Sequence, residues 1–270
     1  MSQGQLTFII ILFASVIALC TLMLVWAALI RRRRLGAQRT GPGGPNASVP
    51  DDAWQRFGAA LAAVYARHEW HETRGARRLV SAEQTYFGYA CAHPYPMLRR
   101  SLAGNWQVRR PEQARERVRG AVDLAVSDAA LIAGARGETS EHLRERLLGA
   151  GAPAGAAELV ASRVPLGRGA EDPGPEGSSL LAFDLVRFAN LVRWCGGIGF
   201  LDRGEVRDAS QTLAAAAVTA FDGWDELGEH YVLGLRNQAP RGDKPFVRAV
   251  EWLRTDPESP WLALAWPGGR

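Results

Sequence analysis

The chain opens on an unbroken apolar run. Leu6–Ile30 reads LTFIIILFASVIALCTLMLVWAALI, 25 residues with no charged side chain. As a helix rising 1.5 Å per residue it would be roughly 38 Å long, more than the ~30 Å hydrocarbon core of a bilayer. A cleaved leader carries its basic residues before a shorter apolar core; here they follow the run. Residues 6–30 are therefore expected to form one uncleaved transmembrane helix behind a short tail, residues 1–5. Beyond residue 50 the pattern changes. Apolar residues recur at three and four, with almost no alternating β-branched runs, which predicts an all-α domain over 51–270.

Within that domain the spacing predicts a first helix over 53–68, with Trp54, Phe57, Leu61, Val64 and Tyr65 on one stripe and Asp51 or Asp52 at its cap. Ser81 caps a second to about Cys91. Shorter helices are expected over 97–103, 128–135, 140–148 and 156–163, and Pro111 suits the first turn of one reaching Val126. The stretch 164–179 reads as a flexible Gly/Pro-rich loop. A strong helix follows over 180–196, then one from the Asp202 cap to Phe221. Another runs over 223–237 with Asp222 as cap, and a last one over 245–255. The tail is expected to pack back through Trp261 and Trp266.

Charge sharpens the topology. The 270 residues net +4, with a pI near 9.3. Arg31, Arg32, Arg33, Arg34 and Arg39 are the only charged residues among the first 50, so residues 51–270 hold 27 basic and 28 acidic side chains. A nearly neutral domain argues against nucleic acid as a partner. The Arg31–Arg34 cluster instead orients the membrane segment, because basic flanks stay cytoplasmic. The N-terminus is then expected outside the cell membrane and the domain inside. Residues 31–50 form the stop-transfer cluster and a Gly/Pro-rich linker. A reducing compartment suits Cys91 and Cys195 as unpaired, buried thiols.

Motifs for chemistry are weak. His68-Glu69-Trp70-His71 lacks the four-residue spacing that sets two imidazoles on one helix face, and reads as a solvated helix end. Glu226 and His230 do not match the Glu-x-x-His spacing of di-metal bundles. Gly196-Gly197-Ile198-Gly199 follows a helix rather than a strand, so a helix cap is expected, not a phosphate cradle. No metal or cofactor is expected, and the reading leans away from an enzyme. The informative segment is helix 180–196. Leu181, Leu185, Phe188, Val192 and Cys195 form its core stripe at about 100° per residue, and Asp184 falls beside that stripe. A carboxylate there needs a partner, either Arg187 or Arg236. Asn190, Arg193 and Trp194 continue the polar flank. The cluster is open to two readings, a structural ion-pair network or a pocket in which Arg187 and Arg193 hold an anion. Trp224, Leu227, Tyr231 and Leu235 share a face of a later helix, with Gly228 and Gly234 permitting close packing.

These residues resemble a family. Asp184, Arg187, Asn190, Arg193 and Trp194 match an Asp-x-x-Arg-x-x-Asn-x-x-Arg-Trp pattern. Trp224, Gly228, Tyr231, Gly234 and Arg236 match a second segment, and Ser259, Pro260 and Trp261 a third. The chain is similar over roughly residues 80–266 to the bacterial domain of unknown function 1266, with an added membrane anchor. The resemblance brings no activity. It implies that the polar residues of helix 180–196 belong to the family's shared design. The reading is thus a single-pass membrane protein whose cytoplasmic helical domain serves as an interaction or scaffold module for a protein partner. The alternative is a binder of a small anionic ligand, or an enzyme, using Asp184, Arg187, Asn190, Arg193 and Tyr231.

Overall fold

In the computed structural model, residues 48–72, 81–91, 93–165 and 174–268 are described. They build twelve helices: α1 (Ala53–Ala60), α2 (Ala63–Glu72), α3 (Ala82–Tyr86), α4 (Tyr95–Asn105), α5 (Pro111–Ala135), α6 (Ser140–Gly149), α7 (Ala154–Ala161), α8 (Gly174–Gly197), α9 (Arg203–Ala220), α10 (Trp224–Gln238), α11 (Lys244–Thr255) and α12 (Pro260–Ala263). No strand occurs among the described residues. Residues 6–30 and Arg31–Arg34 lie outside them. Among the described residues no helix is long and apolar enough to cross a membrane.

Helix α8 organises the packing. It touches α1, α2, α4, α5, α9 and α10. Every residue from Phe188 to Gly197 is buried. A helix covered on all sides has no solvated face, so a polar residue on it must find its partners inside the protein. The helix begins at Gly174, so residues 174–179 are helical rather than part of a loop. Its far end closes as a Schellman turn. Gly199, at φ 76°, donates to the Gly196 carbonyl (3.1 Å), and the Phe200 N–H donates to the Cys195 carbonyl (2.8 Å).

Several boundaries differ from the sequence reading for local reasons. The expected helix 53–68 is two helices, because the indole N–H of Trp261 takes the Ala60 carbonyl at 3.0 Å at the break. Conversely, α5 runs unbroken over 25 residues where two helices were expected. Ser127, which lies between those two expected helices, points its hydroxyl back to the Asp123 carbonyl (2.9 Å) and stays in the helix. The Ser81 helix ends at Tyr86, although its capping box with Gln84 is formed. Asp222 does not cap α10; Gly223 holds that position. Asp202 caps α9 as expected, in a box with Glu205. The tail packs back: Trp261 stacks on Trp224 at 5.0 Å, and Trp266 meets Trp224 edge-on at 4.9 Å.

Candidate functional site

The family-like polar residues of α8 divide into two groups with different surroundings. Asn190, Arg193 and Trp194 face inward, all buried. The Arg193 guanidinium donates to the Asn190 side-chain oxygen from Nε (3.2 Å) and Nη2 (2.9 Å), and to the Ala90 carbonyl from Nη1 (3.0 Å). It also forms a short ion pair with Glu69. The Trp194 indole donates to the same Glu69 oxygen at 2.6 Å. Burial works against the Arg193 charge. The Glu69 charge and hydrogen bond outweigh it and hold the guanidinium pKa above its ordinary value.

Glu69 is the residue that sequence reasoning missed. Its tetrapeptide was read as a solvated helix end, yet Glu69 is 1% exposed. The signal was present: Ala66 and Glu69 are three residues apart and share one buried face of α2. One oxygen, Oε2, finds no donor among the described residues. Cys91 abuts the network, its thiol 3.7 Å from the Arg193 carbonyl, and burial pushes its pKa up to about 12. Cys195 is likewise buried, free and pushed up to about 12. Neither thiol is a nucleophile at neutral pH.

The second group lies nearer the surface. Arg187 donates to Asp184 at 3.0 Å, with side chains 34% and 13% exposed. The guanidinium rests over the rings of Phe183 (4.8 Å) and Trp106 (5.0 Å). Arg236 is not part of this cluster; it lies 3.8 Å from Asp243 and is 56% exposed. Tyr231 is fully buried and close enough for Arg187 to act on it electrostatically. Its hydroxyl lies beside that of Tyr65 without a well-formed hydrogen bond among the described residues. Burial raises the pKa of both tyrosines, Tyr231 more strongly.

Asp128 on α5 completes this group, since its charge interacts with that of Asp184. Burial raises the pKa of both carboxyls; the Asp184 charge adds to the rise at Asp128, whereas Arg187 offsets part of it at Asp184. A carboxyl with a raised folded-state pKa binds protons that the unfolded chain has already lost. Its ionisation therefore costs stability at neutral pH, and the cost fades as pH falls through the raised value toward the ordinary one. Asp128→Asn is expected to raise the urea midpoint slightly at pH 7. Its advantage over wild type should shrink as pH falls toward 4, measured as the difference between the two unfolding curves.

The remaining candidates are dispersed. His68 packs its ring against Phe246 at 4.6 Å. Glu226 accepts from the Asp222 N–H (2.6 Å), while His230 meets the Ser179 hydroxyl at 3.0 Å, so the two do not converge. A cleft of about 310 Å³ lies elsewhere, between α5, α7 and α9, with Arg115, Arg119, Asp123, Glu205 and Asp208 on its walls. Sequence reasoning did not indicate it, because its walls come from three separate helices.

The family described as protein of unknown function, DUF1266, matches residues 101–266. The chain belongs to this family. No curated protein and no solved structure matches the chain. The matched region contains Asn190, Arg193 and Trp194, but Glu69 and Ala90 precede it. The buried arginine of the family segment thus takes its anion, and one of its carbonyl acceptors, from the part of the chain that leads into that segment.

Proposed function

We propose that this DUF1266 domain acts at the inner face of the cell membrane as an interaction module, held there by residues 6–30 with the N-terminus outside. The observation that carries the reading is the 25-residue uncharged run followed directly by Arg31–Arg34. The inward-turned polar set of α8 supports it: Asn190, Arg193 and Trp194 tie helices together, which leaves partner contacts to the outer faces. One such face is α5, where Leu124 and Leu131 stand two turns apart and 47% and 42% exposed. The test uses the full chain in its native membrane. It should stay in the pellet after alkaline carbonate extraction, and a photo-crosslinker at Leu124 or Leu131 should give a discrete protein adduct. Release by carbonate would remove the membrane reading. A smear identical to that from a crosslinker placed at Leu262 would remove the interaction reading.

A second reading rests on the Tyr231 hydroxyl, which is buried, poorly bonded and beside Arg187. It is a small anionic-ligand site at Asp184, Arg187 and Tyr231, without Asn190 and Arg193, whose donors and acceptor are occupied by each other and by Glu69 and Ala90. A thermal-shift screen should then give a ligand whose stabilisation Arg187→Ala abolishes.

A further inference from the structure

Acidic residues are spread along the domain, with one gap. Residues 84–111 contain Arg99, Arg100, Arg109 and Arg110 and no Asp or Glu, in a domain that is otherwise slightly acidic. Helix α4 and the turn after it bring the two arginine pairs to one end of the helix, where Arg99 donates to the Arg109 carbonyl at 3.2 Å. All four are exposed, and among the described residues none pairs with a carboxylate. Two apolar side chains stand among them, Tyr95 (47% exposed) and Met97 (48%). Met97 and Arg100 lie one turn apart on the outer face of α4, whose inner face buries Leu98 and Leu102.

We propose that this patch, Tyr95, Met97, Arg99, Arg100, Arg109 and Arg110, docks the domain on the anionic headgroups of the bilayer that holds the chain. The inference rests on the membrane reading above. Its chemistry is that of an interfacial anchor: cations for lipid phosphates, and an aromatic and a flexible apolar side chain for the headgroup–acyl boundary. Charges screen over about 8–10 Å, so the four arginines, offset at one edge by the exposed Glu112, govern approach locally even though the domain is neutral overall. Geometry favours the bilayer over nucleic acid as the polyanion. Residues 35–50 span at most ~55 Å of chain, so an anchored domain never leaves the neighbourhood of the headgroups. At that effective concentration a patch of modest affinity is sufficient. Each arginine near an anionic surface contributes about fivefold to the docked population.

The test places the full chain, with Cys20→Ser, in nanodiscs of phosphatidylcholine alone or with roughly one-third phosphatidylglycerol. A nitroxide is attached at Met97→Cys or, separately, at Leu262→Cys; Cys91 and Cys195 are buried and do not label. The Met97 position should be shielded from a water-soluble nickel relaxant in the anionic discs only, with Leu262 open in both. Arg100→Glu with Arg110→Glu should lower the docked population on the order of tenfold or more, and the paired lysine substitutions should retain it. Equal exposure of Met97 in the two lipids overturns the proposal. So does stronger shielding by duplex DNA than by the lipid at equal phosphate, which would make this a nucleic-acid surface. The membrane reading is scored separately, by co-elution of chain and disc at 1 M salt in both lipids. If that fails, the patch is read by flotation: it predicts low-salt flotation with anionic vesicles and none with neutral ones, and equal flotation overturns it.

Discussion

Arg193→Met is expected to destabilise the helical domain by about 3–5 kcal/mol, measured as a fall in the urea midpoint at constant slope. Methionine replaces the arginine stem but not its five donors. Glu69 then remains as a buried carboxylate with only the Trp194 indole, and Asn190 loses both donors to its side-chain oxygen. A domain of this size has about 5–15 kcal/mol of stability in all, so the variant loses a large share of it. Arg187→Met is the matched control. Its pair with Asp184 is one-third exposed on the arginine side, and its loss should cost about 1 kcal/mol or less.

The second large effect is at Gly234, where α10 crosses α8. A methyl group there would overlap the Ser179 carbonyl and come within 2.9 Å of the Phe183 Cβ. Backbone cannot rotate away as a side chain can, so the helices must separate. Gly234→Ala should cost about 2–3 kcal/mol, although alanine gains up to ~1 kcal/mol in helix propensity. Gly120 on α5 provides the opposite case. It is exposed and nothing lies within 4 Å of a Cβ added there, so Gly120→Ala should stabilise by roughly 0.5–1 kcal/mol. A thermal or urea melt of the two variants beside wild type would show shifts of opposite sign.

Periodicity sufficed for the helical class and for most elements, because core stripes and caps are local signals. Leu181, Leu185, Phe188, Val192 and Cys195 are all buried, and Asp202 caps as its spacing implied. What misled was the reading of His68–His71 as a solvated helix end, since Glu69 is buried. Arg193 falls on the nominal polar flank of α8, yet that flank is covered by neighbouring helices. Its partner Glu69 lies 124 residues away, and no local pattern encodes such a pairing. The break at Ala60 is of the same kind, since it depends on an indole 201 residues distant. Asp184 was correctly singled out as a carboxylate in need of a partner. The choice between Arg187 and Arg236 required the structure.

One buried charge pair is thus among the contacts that join the family segment to the preceding helices. A buried pair of this kind specifies which helices meet more than it adds net stability, since both charges lose their hydration. Burial also explains why its polar residues stand out in the sequence while offering little to a ligand.

A double-mutant cycle on Glu69 and Arg193 tests this most directly, with Glu69→Leu, Arg193→Met and the combination unfolded in urea. If the pair is a structural lock, each single change leaves an unpaired buried group and costs about 3 kcal/mol or more. The double variant should then cost about 2–3 kcal/mol less than the two singles added together. Small single effects that add to within about 0.5 kcal/mol would contradict it, and would return Arg193 to the candidates for ligand binding.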